Sequence, residues 1–78
     1  MPVIRLTSYS ISSGTASFLI GNNRYYYNGL HEADVRNVVS LSNRKQPGKA
    51  LNVAKAGCQF WKLNDGGWHD KNEPEPPV

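Results

Sequence analysis

The chain contains a single cysteine, Cys58. A single thiol cannot close a loop within the chain, so the disulfide framework that stabilises many small secreted domains is excluded. We therefore expect a reducing compartment.

Long apolar runs are also lacking. The first residues, PVIRLTSYS, contain no apolar stretch of the signal-peptide kind, and no segment approaches the ~20 apolar residues that a membrane helix needs. We expect a cytoplasmic protein that begins at its own Met1.

Acidic residues are missing from the middle of the chain. Between Val35 and Leu63 every charge is positive, and the first 63 residues carry eight cations against two acids, a net of +6. From Asn64 onward four acids face one lysine, a net of −3. The globule is therefore basic, which favours a phosphate-bearing or otherwise acidic partner.

What is present suits one small domain. Apolar residues make up 38% of the 78, including four Tyr, two Trp and two Phe, which is enough for a packed core. A chain this short buries only roughly 60% of its unfolded surface, so we expect either a marginal monomer or a homo-oligomer. Residues 1–70 are predicted to form the single compact domain, and the Pro- and Glu-rich residues 71–78 a disordered tail.

The first third of the chain has the pattern of β-strands. PVIRLTSYSISS nearly alternates apolar and polar residues before a Ser-Gly stop, which predicts a first strand. In TASFLIGNNRYYYNG, alternate residues from Ala16 to Ile20 are apolar, and Gly-Asn-Asn tolerates the positive φ of a tight turn. This pattern predicts a β-hairpin whose second strand covers residues 24–27.

The apolar period then becomes helical. In LHEADVRNVVSLS apolar residues recur at helical steps around Val35, Val38 and Val39, and two acids stand in the first turn, where the helix dipole favours them. This helix is predicted to end near Ser42, because Pro47 cannot continue it. KALNVAKA predicts a short second helix.

The last patterned segment is CQFWKL, which is aromatic and bounded by Asn-Asp-Gly-Gly. It predicts a strand that pairs with GWHD across the turn. The fold class is therefore α+β: a small antiparallel sheet of three to four strands, with one amphipathic helix and one short helix packed on one face.

Catalytic and metal motifs are incomplete. HEAD, at residues 31–34, lacks the second His that a zincin places one helical turn later, and its acids are explained as helix-start residues. Cys58 lies between Gly57 and an aromatic strand, where a buried small hydrophobe is more usual than a nucleophile. We expect no enzyme, no metal and no cofactor.

The clearest candidate for ligand binding is QPGKAL. It ends in Gly-Lys like a P-loop but lacks that motif's first Gly and its final Ser or Thr, so it is not a nucleotide-hydrolysing loop. If Lys49 opens a short helix, its free N–H groups and the side chains of Arg44, Lys45 and Lys49 would converge on one anion. The alternative, a solvated loop, stays open.

RYYY places Tyr25 and Tyr27 on one face of a strand and Tyr26 on the other. One face must line the core, and a tyrosine on the exposed face is a candidate for stacking on a base or ring. The predicted site assigns this stacking to Tyr25 or Tyr27, and contact with a polar edge of the ligand to Asn52. Trp61 is predicted to pack in the core.

Taken in order, these segments are a TSYSI strand, a hairpin from a Phe-bearing strand into YYY, a Gly and a helix, then Ser and GKALN, and a closing KL strand. This order resembles the KTSC family over about residues 6 to 63. The positions that match the family's pattern are Ser8 or Ser10, Tyr25, Tyr27, Ser42, Gly48 and Asn52. The family's domain stands at the end of some lysyl-tRNA synthetases and alone in bacterial and phage proteins. The family has no established enzymatic activity. Its occurrence with tRNA-charging enzymes and in phage proteins implies contact with RNA or a nucleotide.

These observations predict a non-catalytic binding protein for a phosphate-bearing ligand, either a nucleotide or single-stranded nucleic acid, on a basic surface flanked by aromatic residues. Because the family occurs in both bacterial and phage proteins, the resemblance is compatible with a phage-encoded protein, which would then work in the cytoplasm of a bacterial host cell. The alternative is a phage-type inhibitor that uses the same surface to dock on a bacterial nucleic-acid-binding or defence enzyme. In either case the acidic tail is predicted to shield the basic globule.

Overall fold

The computed structural model describes residues 3–72 of the chain. Its five strands form one antiparallel sheet in which each strand pairs with the next along the chain. The strands are β1 (Ile4–Ser10), β2 (Thr15–Ile20), β3 (Asn23–Asn28), β4 (Phe60–Leu63) and β5 (His69–Asp70). The α+β class is confirmed. The sheet has five strands where three to four were expected, and the fifth, β5, is only two residues long.

Two helices fill the connection between β3 and β4. They are α1 (Glu32–Asn43) and α2 (Pro47–Gly57). Pro47 stands in the first turn of α2, where its missing N–H leaves no hydrogen bond unmade. The second helix is therefore longer than KALNVAKA alone predicted, because the proline that ends α1 also begins α2.

The helices pack on one face of the sheet. Phe18 of β2, Tyr27 of β3 and Val38 of α1 belong to one buried cluster, and each is at most 1% exposed. The Phe18 and Tyr27 rings meet edge to face with centroids 6.0 Å apart. Trp61 of β4 lies in the same cluster, as predicted. Successive residues of a strand point to opposite faces, so the residues between these core positions lie on the face that carries no helix.

The turn between β1 and β2 is joined to the start of α1 through Gly14. The Leu30 N–H donates to the Gly14 carbonyl over 2.9 Å, and Gly14 has a φ of +68°. A Cβ at this position would collide with the backbone of Leu30. Glycine is the residue that fits here without strain, so this contact couples the hairpin to the helical layer.

The predicted end of the domain at residue 70 lies two residues before the end of the described part of the chain. Of the tail predicted at 71–78, residues 73–78 lie outside the described part of the chain. The Lys71 N–H donates to the Gln59 carbonyl over 3.1 Å, so the folded domain reaches at least one residue past the predicted boundary. Within residues 3–72, neither helix has the length and the apolar content to cross a membrane.

Candidate functional site

The two tyrosines predicted to stack on a ligand are core residues. Tyr25 and Tyr27 are each 1% exposed and lie beneath the helices, whereas Tyr26 points to the other side of the sheet. Burying the face of β3 that carries two tyrosine rings removes more apolar surface from water than burying the face that carries one. The face with Tyr25 and Tyr27 therefore points into the core. The assignment of ligand stacking to Tyr25 or Tyr27 was therefore wrong.

The predicted phosphate-binding cations lie where α1 meets α2. Arg44 follows the last residue of α1, Lys45 has a φ of 62°, and Lys49 stands in the first turn of α2. All three are exposed, and we call them the helix corner. Asn52 is also exposed, three residues after Lys49 and therefore adjacent to it on the surface of α2. The structure brings these four residues to one side of the molecule, and it leaves Tyr25 in the core.

A second basic surface lies on the sheet face that carries no helix. We call it the open face and define it by three cations and three aromatic residues: Arg5, Arg24, Lys62, Tyr26, Phe60 and Trp68. In the β-sheet register, Tyr26 of β3 is flanked by Ser17 of β2 and Lys62 of β4. One row further along, Leu19 separates Arg5 from Arg24.

Two of the three aromatic residues of the open face lie next to one lysine. The Lys62 ammonium lies 4.8 Å from the ring centroid of Tyr26 and 5.4 Å from that of Trp68. Trp68, in the connection from β4 to β5, is 49% exposed, and Phe60 on β4 is 45% exposed. Large apolar side chains are normally withdrawn from water, so exposed ones beside a cation on one face indicate a contact surface.

The cations of the open face are not neutralised by neighbouring acids. An ion pair joins Arg36 to Glu32 on the surface of α1, at 3.2 Å. Arg5, Arg24 and Lys62 form none within residues 3–72. Asp70 lies opposite Phe60 in the register and therefore on the same face, but it forms no ion pair with these three cations. The open face therefore presents a positive potential to an approaching ligand.

A cluster of hydroxyl groups lies at the β1 end of the open face. The register shifts between Leu6 and Ser8, so Thr7 and Ser8 together face Ser17 of β2. The Ser17 Oγ lies 2.8 Å from Thr7 Oγ1 and 2.6 Å from Ser8 Oγ. These residues line a groove of about 540 Å³ together with Arg5, Leu6, Arg24 and Tyr26. We call this groove the bulge pocket.

A different groove, of about 370 Å³, runs between β1 and α1 on the helical side. Tyr9, Ile11 and Val39 supply its apolar part, and Arg36 and Arg44 flank it. Its composition suits an apolar side chain next to an acid, which is a protein contact more than a phosphate site.

No arrangement typical of metal or thiol chemistry is present in the described residues. No group of three or more His, Cys, Asp or Glu side chains comes together in residues 3–72. Cys58 is buried, and its thiol donates to the Lys55 carbonyl over 3.5 Å. It therefore has the small-hydrophobe environment expected from the sequence.

Comparison with known proteins gives no further assignment. No family model matches the chain, and no curated protein or solved structure matches it. The resemblance to the KTSC family therefore stays a prediction.

Sequence reasoning missed the open face because its residues come from four separate segments. Their only signal in the sequence is alternation within each strand, such as Arg24 and Tyr26 on one face of RYYY. Which strands become neighbours, and in what register, decides whether Tyr26 meets Lys62. By contrast, the helix corner is nearly contiguous in sequence and is visible as a run of cations.

Proposed function

We propose that this protein binds single-stranded nucleic acid on its open face. Tyr26 and Trp68 stack on bases, Phe60 extends the aromatic surface, and Lys62, Arg24 and Arg5 contact phosphates. Exposed aromatic rings beside a basic groove are the usual means of holding single strands without reading their sequence. The observation that carries the proposal is the placement of Lys62 next to the half-buried Tyr26 ring and the exposed Trp68 ring.

The contact between Lys62 and the rings does not oppose stacking. An exposed cation–π contact is worth about 0.5–1 kcal/mol. Stacking of a base on an aromatic side chain is worth about 1–3 kcal/mol. A base therefore displaces the ammonium with a net gain, and the flexible lysine side chain moves to the adjacent phosphate.

The shape of the open face favours single strands over other nucleic acids. Tyr26 and Lys62 lie on neighbouring strands, which are about 4.8 Å apart, and Phe60 is two residues from Lys62, roughly 7 Å along β4. Rings at this spacing on a flat surface can take unstacked bases, which a duplex does not present. The RNA or nucleotide contact implied by the KTSC resemblance is compatible with this use. The setting we propose is the cytoplasm of a bacterial host cell.

A second candidate function has its own support, the groove between β1 and α1. Tyr9 is 50% exposed beside the apolar part of that groove, and two arginines flank it. An inhibitor that docks on an acidic protein patch would use this side, with the helix corner next to it. We rank it second because Phe60 and Trp68, both exposed on the open face, have no part in that role.

The test compares two variants that remove equal charge. The first is Arg5→Gln with Arg24→Gln and Lys62→Gln, and the second is Arg44→Gln with Lys45→Gln and Lys49→Gln. Affinity for a short fluorescent single-stranded oligonucleotide is measured between about 50 and 200 mM salt.

Each phosphate contact contributes about 0.7 to the slope of log affinity against log salt for a single strand. The open-face variant should therefore lose about 2 from that slope, and the helix-corner variant should keep it. The opposite result would move the phosphate contacts to the helix corner. Absence of binding by the unmodified protein would overturn the proposal.

A further inference from the structure

The bulge pocket contains a buried serine, Ser17 of β2, which faces two residues of β1 because of the bulge. In a regular antiparallel pair one residue would face Ser17, but the extra residue in β1 places two hydroxyl side chains there. Ser17 is 3% exposed and bonds both of them, while Thr7 also donates to the Ser17 carbonyl over 3.1 Å. A polar side chain this buried needs its partners, so the three hydroxyls form a fixed unit.

The protons of the three hydroxyl groups can be arranged in two ways. In the closed arrangement Thr7 donates to the Ser17 carbonyl, Ser17 donates to Thr7 and Ser8 donates to Ser17, so every proton is used within the unit. In the open arrangement Thr7 donates to Ser17 Oγ, Ser17 donates to Ser8, and the Ser8 proton points out of the unit. An acceptor at the pocket selects the open arrangement, in which each hydrogen bond polarises the next.

Two arginines stand on either side of this hydroxyl donor. Arg5 and Arg24 are separated by Leu19 on β2, which places their backbones about 9.6 Å apart, two strand spacings. Both line the bulge pocket, and no acid in residues 3–72 is among its lining residues. Long guanidinium side chains that start this far apart can close on one anion between them, each offering two donors to its oxygens.

We propose that the bulge pocket binds the terminal phosphate of a single strand whose bases lie on the open face. A phosphate monoester carries a charge of about −1.5 to −2 and three acceptor oxygens. These match two guanidinium groups and the Ser8 hydroxyl. An internal phosphodiester carries one charge and needs room for chain on both sides. This inference rests on the proposed function.

The position of the pocket explains why it would take an end of the strand. Tyr26 lines the pocket and also belongs to the aromatic part of the open face, so the terminal base stacks on Tyr26 while its phosphate enters the pocket. The row from Trp68 through Lys62 and Tyr26 to Ser17 ends at β1, the last strand on that side of the sheet. A strand laid along this row therefore ends at the hydroxyl unit.

The test uses one oligonucleotide in three forms: with a 5′ phosphate, with a 3′ phosphate, and with hydroxyls at both ends. The affinities are measured by competition against a labelled strand. One phosphorylated form should bind about tenfold more tightly than the hydroxyl form, as expected for a charge-assisted contact. Ser8→Ala should remove most of this preference and leave the affinity for the hydroxyl form unchanged. Ser40→Ala, the same change on the exposed surface of α1, should alter neither.

Equal affinity for all three forms would overturn the terminal-phosphate pocket and leave the proposed function standing. A titration with inorganic phosphate, followed through the backbone amide signals, tests the pocket separately. If no oligonucleotide binds but inorganic phosphate shifts the Ser8, Ser17 and Arg24 signals, the pocket is an anion site, and both the proposed function and the assignment of a strand end to the pocket fall. If those signals do not move and no form binds, both fall.

Discussion

Replacement of the buried Gly14 by alanine should destabilise the protein more than a glycine-to-alanine change at any other turn within residues 3–72. A left-handed conformation costs a non-glycine residue roughly 1–2 kcal/mol. The added Cβ also drives apart Gly14 and Leu30, which weakens a 2.9 Å hydrogen bond worth about 1 kcal/mol. Together these effects predict a loss of about 2–3 kcal/mol from a total stability of roughly 4–12 kcal/mol for a chain of this length.

Gly48→Ala is the matched control. Gly48 lies in the first turn of α2, and a Cβ there would meet nothing within 4 Å. The same chemical change should therefore stabilise the protein by about 0.5–1 kcal/mol, because alanine favours the helix and restricts the unfolded chain.

Urea unfolding gives the free energy of unfolding of each variant and thermal unfolding gives its melting temperature, both followed by far-ultraviolet circular dichroism. The melting temperature of Gly14→Ala should fall by roughly 10–20 °C, and that of Gly48→Ala should rise by a few degrees. A Gly14→Ala variant within about 0.5 kcal/mol of the unmodified protein would refute the link between the first turn and the helical layer.

Three further results are expected. Tyr26→Ala should weaken binding of a single-stranded oligonucleotide by about 5- to 150-fold, the equivalent of one lost stacking contact, and Tyr9→Ala on the helical side should change it less than about twofold. Binding should quench tryptophan emission, and Trp68→Phe should abolish the quench because Trp61 is buried away from the open face. Arg36→Gln should change the free energy of unfolding by less than about 0.5 kcal/mol, since its ion pair with Glu32 is exposed.

Contrary results would be informative in each case. Equal losses for Tyr9→Ala and Tyr26→Ala would place the ligand on both sides of the molecule, against the proposed function. Quenching that persists in Trp68→Phe would show a ligand far from the β4–β5 connection. A loss above about 1 kcal/mol for Arg36→Gln would mean that this surface pair is more rigid than its exposure indicates.

Most of the fold could be predicted from local sequence patterns. The alternation from Ala16 to Ile20, the Gly-Asn turn after it and the helical spacing of Val35 and Val38 all correspond to the elements observed. These signals are local because each helix or strand buries one face. The spacing of its apolar residues therefore indicates both the type of element and the face that is buried. The fifth strand has two residues, too few to show any period, so its pairing was expected from the turn before it.

The candidate site was much less predictable. RYYY showed that its tyrosines divide between two faces, but the inward face depends on what packs against it. The aromatic and basic residues of the open face meet only through β-sheet register. The bulge at Thr7 adds a residue to one strand, and neither hydroxyl nor apolar spacing in TSYSI indicates where. A surface assembled from several strands therefore cannot be recognised in the sequence, whereas a continuous run of cations such as Arg44-Lys45 can.

The bulge in β1 also affects how copies of this chain can meet. β1 and β5 are the two edges of the sheet, and unpaired edges are templates for another strand. The extra residue at Thr7 interrupts the regular ladder that a neighbouring strand would need, and β5 offers only two residues. Both edges are thus poor templates for aggregation, and self-association of this protein would have to bring faces together instead of extending the sheet.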